Sequence, residues 1–191
     1  MTDRADRFTV VLDANVIAGA LTRNILLSLA EAGLYRPRWS AQILDEFERY
    51  FIKRYDDAEG AIRQRANMEN AFPEALVTDY EQLIDALTLP DPHDRHVLAA
   101  AIQTRAALIV TDNLRDFPSD DLAKFEIEAI GLDHFLADAL DLAGIEAIAA
   151  LRKMRERFNV PEIDADVLLS KIEQLKLLET AAILYRYREL L

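Results

Sequence analysis

In the stretch FTVVLDANVI, residues 8–17, an apolar run ends directly at a carboxylate, Asp13. Residues 8–12 are strand-forming, so they predict a short buried strand. Asp13 follows the strand at once, and Asn15 comes two residues later. In an open α/β sheet, ligands bind outside the carboxyl ends of the strands. A carboxylate at such an end predicts a functional site, with a turn residue or a helix cap as the alternative interpretation.

Three further segments carry the pattern of short buried strands, namely residues 74–78, 107–111 and 125–130. Helical patterns separate these segments, and such alternation is typical of a parallel sheet with helices on its faces. We therefore predict an α/β fold with a parallel sheet for the first two thirds of the chain.

From about residue 131 the pattern is helical without strands. The helical segments lie near residues 133–142, 145–158, 164–175 and 179–189, with Asp164 as the predicted N-cap of the third. We predict one domain over residues 1–130 and an all-helical C-terminal extension over residues 131–191.

Composition limits the classes of function. The chain has 191 residues, is 51% hydrophobic and contains no cysteine, so it can bury a core and has neither disulfides nor thiolate metal sites. We expect a soluble, cytoplasmic protein without a membrane anchor, because no apolar stretch reaches the roughly 18 residues of a membrane span. The net charge of -12 argues against generic electrostatic binding of nucleic acid, unless the acidic residues are concentrated where they hold cations.

Two predicted helices of the first part carry acidic side chains. Apolar spacing over residues 41–54 predicts a helix with Ser40 as its N-cap, and Glu46 borders the apolar face of that helix. A second helix is predicted over about residues 92–105, with Asp94 in its first turn.

Four acidic positions fall where an α/β sheet would bring them together: Asp13, Glu46, Asp94, and either Asp112 or Asp116. Carboxylates side by side raise one another's pKa, and a bound divalent cation relieves this repulsion. All-oxygen ligation selects Mg²⁺ or Mn²⁺. One or two such ions support phosphodiester hydrolysis without a protein nucleophile, so the pattern predicts a metal-dependent hydrolase.

Each member of the acidic set has a simpler interpretation. Glu46 alone would be a solvated helix edge, Asp94 a charge that favours the helix dipole, and residues 112–116 a polar loop. The joint pattern is much less expected by chance than any single member. Asn15 and Thr111 are then candidates for orienting a ligand or a water.

Four motifs resemble the PIN-domain family of metal-dependent ribonucleases and, within it, the VapC-type toxins of bacterial toxin–antitoxin pairs. The resemblance covers about residues 8–130, and the region after Gly131 is similar to the helical C-terminal extension of a subset of the family. The motifs are VVLDANVI (residues 10–17), SAQILDEF (40–47), DPHDRHVLAAAI (91–102) and LIVTDNLRDFP (108–118).

The resemblance implies a PIN-like, Rossmann-like fold and a Mg²⁺- or Mn²⁺-dependent endoribonuclease. It implies RNA as the substrate and a small cognate antitoxin as the protein partner, and it leaves a homodimer open. The family's first three acids carry over to Asp13, Glu46 and Asp94 as catalytic metal ligands.

The fourth acid of the family follows the threonine of the last motif, where three residues compete. These are Asp112, Asn113 and Asp116. We prefer Asp116 as the catalytic acid, with Asp112 close behind as a metal ligand and Asn113 in a supporting role.

Histidines and basic residues complete the candidates. His93 and His96 lie three residues apart but lack a matching third nitrogen or thiolate, so a zinc site is not predicted. The cluster over residues 152–157 is interpreted as a solvated helix face. The residues expected to contact RNA phosphates are Arg36, Arg38, Arg49, Lys53 and Arg54.

Two rival functions remain. A dehalogenase-type phosphatase also begins with a strand that ends in aspartate, but it needs a second acid where this chain has Asn15. A non-catalytic PIN-like module would only bind RNA or a protein, and the presence of all four acids argues against it.

Overall fold

A parallel sheet of five strands forms the centre of the first part of the chain. The computed structural model describes residues 8–158 and 161–191. The strands lie side by side in the order β3-β2-β1-β4-β5, and all neighbouring pairs are parallel, which confirms the predicted α/β fold. The strands are β1 (Thr9–Leu12), β2 (Arg36–Ser40), β3 (Leu76–Val77), β4 (Leu108–Val110) and β5 (Glu128–Ile130).

The helices follow the alternation that the sequence predicts. Helix α3 begins at the predicted N-cap, where the Ser40 hydroxyl accepts a hydrogen bond from the backbone N–H of Ile43 at 3.2 Å. The helices that precede residue 131 are α1 (Ala14–Ile17), α2 (Ala20–Glu31), α3 (Ala41–Tyr55), α4 (Ala58–Ala71), α5 (Glu81–Ile84), α6 (Arg95–Thr104) and α7 (Ser119–Leu122). Short 3₁₀ turns at Pro92–Asp94 and Leu114–Asp116 carry further candidate residues.

The region after Gly131 is helical, as predicted. The Asp133 carboxylate accepts hydrogen bonds from the backbone N–H groups of Glu179 and Thr180, each at 2.9 Å, and so joins the first of its helices to the start of the last. The predicted N-cap at Asp164 is also present, accepting from the N–H of Val167 at 2.8 Å. The helices are α8 (Leu132–Ala143), α9 (Ile145–Glu156), α10 (Ala165–Gln174) and α11 (Leu178–Tyr185).

The chain divides into two compact units, and the division is not a single cut in the sequence. One unit contains the chain up to Arg23 together with Tyr35–Gly131, and the other contains Asn24–Leu34 together with Leu132–Leu191. Helix α2 therefore begins in the first unit and ends in the second. Among the described residues, no helix combines the length and the apolarity that a membrane crossing requires.

The order of the strands reverses between β1 and β4. Leu12 is aligned with Val110 in the pairing, so Asp13 and Thr111 leave the sheet side by side. The backbone N–H of Asp13 also donates to the carbonyl of Val110 at 3.1 Å, which extends the ladder by one bond. A crevice at such a reversal is the usual ligand site of an open α/β sheet.

Helix α6 packs on this part of the sheet through small side chains. Val97, Leu98 and the three alanines that follow are completely buried, and α6 contacts β1, β2 and β4. A helix that connects parallel strands runs back along the sheet, so it begins at the edge where the strands end. The start of α6, with Asp94 just before it, therefore lies at the same edge as Asp13.

Candidate metal centre

Asp13 is the buried member of the acidic set, with only 6% of its surface exposed. One carboxylate oxygen accepts from the backbone N–H of Ala14 at 2.6 Å and so caps α1. The other accepts from the Asn15 amide and from the Thr111 hydroxyl, both at 2.7 Å. Burial raises the pKa of Asp13, while the hydrogen bonds from Thr111 and Ala14 lower it. Asp13 therefore caps α1 with one oxygen and belongs to the hydrogen-bond network of the candidate site with the other.

Asn15 and Thr111 tie the end of β1 to the loop after β4. The Asn15 amide nitrogen lies 3.0 Å from the Thr111 hydroxyl, and its amide oxygen accepts from the backbone N–H of Asp112 at 3.2 Å. The Thr111 hydroxyl in turn accepts from the N–H of Asn113 at 3.1 Å. Both side chains thus orient the Asp13 carboxylate and the loop that leads to the fourth acid.

Three other carboxylates converge next to this network. Asp91, Asp94 and Asp116 each offer one oxygen, and these three oxygens lie within 4.8 Å of one another. The Asn113 amide donates to Asp116 and lies 3.5 Å from an oxygen of Asp94. Each of the three acids is partly buried, so water screens their repulsion only in part.

The electrostatics of Asp94 show how closely the acids approach. Burial and then the charges of Asp13, Asp91, Asp116 and Glu46 raise the pKa of Asp94 to about 6. Four other carboxylates therefore act on Asp94, and the five acids together come from four separate segments of the chain. An all-oxygen donor set of this charge suits a hard divalent cation such as Mg²⁺ or Mn²⁺.

Asp91 is the acid that the sequence analysis missed. It precedes Pro92 and accepts from the backbone N–H of His93 at 2.8 Å, as a turn cap does. The available signal was its spacing, because residues three apart in a helical turn lie on the same face. Asp91 and Asp94 have that spacing, with Asp91 as the N-cap of the 3₁₀ turn Pro92–Asp94.

Glu46 reaches the site from α3 and is held by a buried histidine. One Glu46 oxygen lies 3.2 Å from Nε2 of His96 and 3.6 Å from the Arg49 guanidinium. His96 is 1% exposed, and its Nδ1 has no hydrogen-bond partner among the described residues. An ionised carboxylate only accepts hydrogen bonds, so we assign the proton to Nε2. His93 is exposed, and the candidate cation group among the described residues contains neither histidine.

The two candidates for the fourth acid have different environments. The Asp116 side chain is 14% exposed and belongs to the group of three converging carboxylates. Asp112 is exposed, and its backbone N–H is the group that contacts Asn15. The geometry therefore favours Asp116 as a ligand, in line with the preference from the sequence.

The predicted phosphate-binding residues lie in two places. Arg49, Lys53 and Arg54 follow Glu46 on α3. Arg36 is aligned with Thr9 at the opposite end of β1 from Asp13, on the order of 13 Å along the strand, and Arg38 lies two positions further along β2. Arg49 contacts a candidate acid directly, at 3.6 Å from Glu46.

The basic cluster on α9 contacts neighbouring groups in the second unit. Arg152 pairs with Glu156 at 2.9 Å, Arg157 pairs with Glu31 at 2.8 Å, and Arg155 donates to the carbonyl of Ile163 at 2.8 Å. Arg152 and Arg157 are exposed, as the interpretation of a solvated helix face expects, whereas Arg155 is mostly buried.

Comparison with known proteins identifies the family. The PIN domain model matches residues 9–115, and the model of the VapC50 C-terminal domain matches residues 132–186. A Mycobacterium tuberculosis protein named "Putative ribonuclease VapC50" is 38% identical over 103 residues, which cover 54% of this chain and 60% of that protein. The alignment thus spans less than two thirds of that relative, and no solved structure matches the chain. The chain belongs to the PIN-domain family, in its VapC-type form with a C-terminal domain of the VapC50 kind.

Proposed function

We propose that the protein is a metal-dependent endoribonuclease that hydrolyses RNA phosphodiester bonds as the toxin of a type II toxin–antitoxin pair. The observation that carries the proposal is the convergence of the Asp91, Asp94 and Asp116 carboxylates, whose oxygens lie within 4.8 Å of one another beside the hydrogen-bond network of Asp13. Membership of the PIN-domain family and the name of the M. tuberculosis relative support the reaction class.

The cofactor of the proposal is Mg²⁺ or Mn²⁺. The acids that would hold the ion are Asp13, Glu46, Asp94 and Asp116, with Asp91 added from the structure and Asp112 as the alternative to Asp116. A divalent cation held by these oxygens would supply activation of a water molecule and stabilisation of the leaving oxygen of a phosphodiester.

The surrounding residues keep the acids in position. Asn15 and Thr111 fix the Asp13 carboxylate, and the Asn113 amide lies between Asp94 and Asp116. The amide of Asn15 can neither donate nor accept a proton as a phosphatase acid does, so the phosphatase alternative is the weaker one.

The remaining parts of the proposal concern organisation and partners. We assign the nuclease to residues 1–130 and regard residues 131–191 as its helical extension, in a cytoplasmic protein. RNA is the substrate, a cognate antitoxin is the protein partner, and a homodimer is to be tested by size-exclusion chromatography. The acidic surplus of the chain fits this proposal in part, because several of its carboxylates are gathered at the cation site.

The test is cleavage of unstructured RNA by the purified full chain with Mg²⁺, with Mn²⁺ and with chelator. Cleavage should require the ion and should be abolished in Asp13→Asn, whose circular dichroism should match wild type. Asp120→Asn is the matched control, since Asp120 is exposed in the same unit and the charge change is identical.

Two results would contradict the nuclease. Unchanged cleavage by a folded Asp13→Asn protein would remove the proposed site from the mechanism. Absence of cleavage by wild type, with RNA bound equally well in chelator and in Ca²⁺, would favour the non-catalytic binding module instead.

A further inference from the structure

Helix α3 carries more than Glu46 on its solvent face. Residues three, four and seven positions after a helical residue lie on the same face. Arg49, Tyr50 and Lys53 therefore follow Glu46 in one row, and Arg54 borders it. The opposite side of α3 is buried through Ile43, Leu44, Phe47 and Phe51.

The cations at the end of this row are not engaged by acids. Arg49 pairs with Glu46 at 3.6 Å, but Lys53 and Arg54 form no ion pair with any described residue. On α4, by contrast, Arg63 and Arg65 each contact two or more carboxylates. Lys53 and Arg54 are thus two adjacent cations without acidic partners among the described residues, and the Arg54 guanidinium lies 5.6 Å from the centre of the Tyr55 ring.

The helix dipole accounts for only part of this arrangement. Cations in the last turn stabilise a helix, and Lys53 and Arg54 lie in the last turn of α3. The dipole does not account for Tyr50, a large aromatic side chain that is 51% exposed between Glu46 and those cations. A half-exposed aromatic ring beside cations is the combination on which single-stranded nucleic acid stacks its bases and rests its phosphates.

Distances along α3 fit such a ligand. At 1.5 Å per residue, Tyr50 lies about 6 Å and Lys53 about 10 Å along the axis from Glu46. A few nucleotides extending from the acidic centre would reach both residues. The same row offsets the repulsion between RNA and the carboxylates, because it places positive charge next to them.

We propose that the solvent face of α3 formed by Arg49, Tyr50, Lys53 and Arg54 is the RNA track, which binds a single-stranded segment of RNA that extends from the acidic centre. Tyr50 stacks on a base, and Lys53 and Arg54 contact phosphates. Duplex RNA does not fit this role, because its bases are already stacked and paired. The inference rests on the proposed nuclease and names the form of RNA that it takes.

The experiment measures binding of a fluorescent, unstructured RNA oligonucleotide to the full chain in Ca²⁺, at several salt concentrations, beside cleavage in Mg²⁺. Tyr50→Ala should weaken binding about tenfold, and Tyr50→Phe should restore it, because stacking needs the ring and not the hydroxyl. Lys53→Ala combined with Arg54→Ala should weaken binding and reduce the slope of log Kd against log salt by about 1.4, the value for two phosphates on a single strand.

Matched controls come from exposed residues elsewhere in the chain. Tyr185→Ala removes a ring of similar exposure, 46%, and Lys124→Ala combined with Lys171→Ala removes two exposed positive charges. Neither control should change RNA affinity or the salt slope. A duplex of the same sequence should bind the wild type and the α3 variants alike.

Each alternative outcome is distinguishable. If wild type neither cleaves nor binds RNA with a divalent ion, the proposed nuclease fails and the RNA track fails with it. If wild type cleaves RNA but the α3 variants behave as their controls do, only the track is overturned. If these variants bind RNA normally and lose affinity for a co-expressed protein partner instead, the face is a protein-docking surface and the track is likewise overturned.

Discussion

Replacing Asp94 by asparagine should stabilise the metal-free protein and remove much of the stabilisation that a divalent cation provides. Burial and four neighbouring carboxylates raise the pKa of Asp94 to about 6. The ionised Asp94 side chain is therefore repelled in the folded protein. Asparagine has nearly the same shape and no charge, so the variant isolates the electrostatic effect.

The sign follows from proton linkage. An aspartate in the unfolded chain has a pKa of about 3.9, so the folded state with its higher pKa binds the proton more tightly. The contribution of Asp94 to stability is fully present below about pH 4 and is lost as the pH rises to about 6 and beyond. Asparagine does not titrate, so the stability of Asp94→Asn relative to wild type should increase as the pH rises through this window.

The size of the stability gain depends on the pKa shift of Asp94 and on screening by solvent. A rise of roughly two pKa units corresponds to about 3 kcal/mol if it acted in full. Asp94 is only partly buried, and screening by water reduces this to about 1 kcal/mol. For a protein of this size, that difference raises Tm by roughly 2 to 4 °C.

The assay is thermal unfolding followed by circular dichroism, in chelator from about pH 4 to pH 8 and then with Mg²⁺ or Mn²⁺ at neutral pH. Metal should raise the Tm of wild type, because it binds the native state, and should raise that of Asp94→Asn much less. Asp120→Asn removes the same charge at an exposed position of the same unit and should follow wild type. An Asp94→Asn protein that is less stable than wild type in chelator at neutral pH would refute the reasoning, as would an undiminished gain with metal.

The other predictions concern the groups around that carboxylate. Asp91→Asn should reduce the metal-induced rise in Tm far more than Asp120→Asn does, because Asp120 is exposed outside the group of three acids, and equal effects would exclude Asp91 as a ligand. His96→Leu removes the hydrogen-bond donor to Glu46, so affinity for Mn²⁺ measured by calorimetry should fall about tenfold. The stability of this variant in chelator should change little, because a buried nitrogen without a partner is also removed. Thr111→Val should lower the cleavage rate, because Asp13 loses a buried hydrogen bond. The free energy of unfolding in urea titrations should fall by about 1 to 2 kcal/mol for the same reason. Unchanged cleavage would show that the hydroxyl does not position Asp13.

Local patterns predicted most of the elements, because each is encoded within a few residues. The run that ends at Asp13 is completely buried from Val10 to Leu12, as its apolar character suggests. Ser40 caps its helix as predicted, since capping needs only a side-chain oxygen next to a free backbone N–H.

Strand β2 shows where local pattern fails. Its sequence, RPRWS, contains a proline and two arginines, which are not typical of a strand between two neighbours. The segment is nevertheless aligned with β1 through Pro37 opposite Val10, and with β3 through Trp39 opposite Leu76. Pairing on both sides, together with the burial of Trp39, decides the conformation of this segment, and neither is visible in the segment itself.

Some of the candidate acids were predictable from local sequence, and others depend on the fold. Asp13 was predictable because its strand end is a local feature, whereas the roles of Asp91 and Asp116 depend on two 3₁₀ turns approaching each other from distant parts of the chain. Asp91 alone looks like a cap, and it does cap its turn. The choice between Asp112 and Asp116 has a similar cause. The backbone of Asp112 is held by Asn15, so the chain continues into the turn at Leu114–Asp116, where the Asn113 amide binds Asp116. A hydrogen bond from α1 to the loop after β4 thus favours the second aspartate over the first, and only the fold brings Asn15 and Asp112 together.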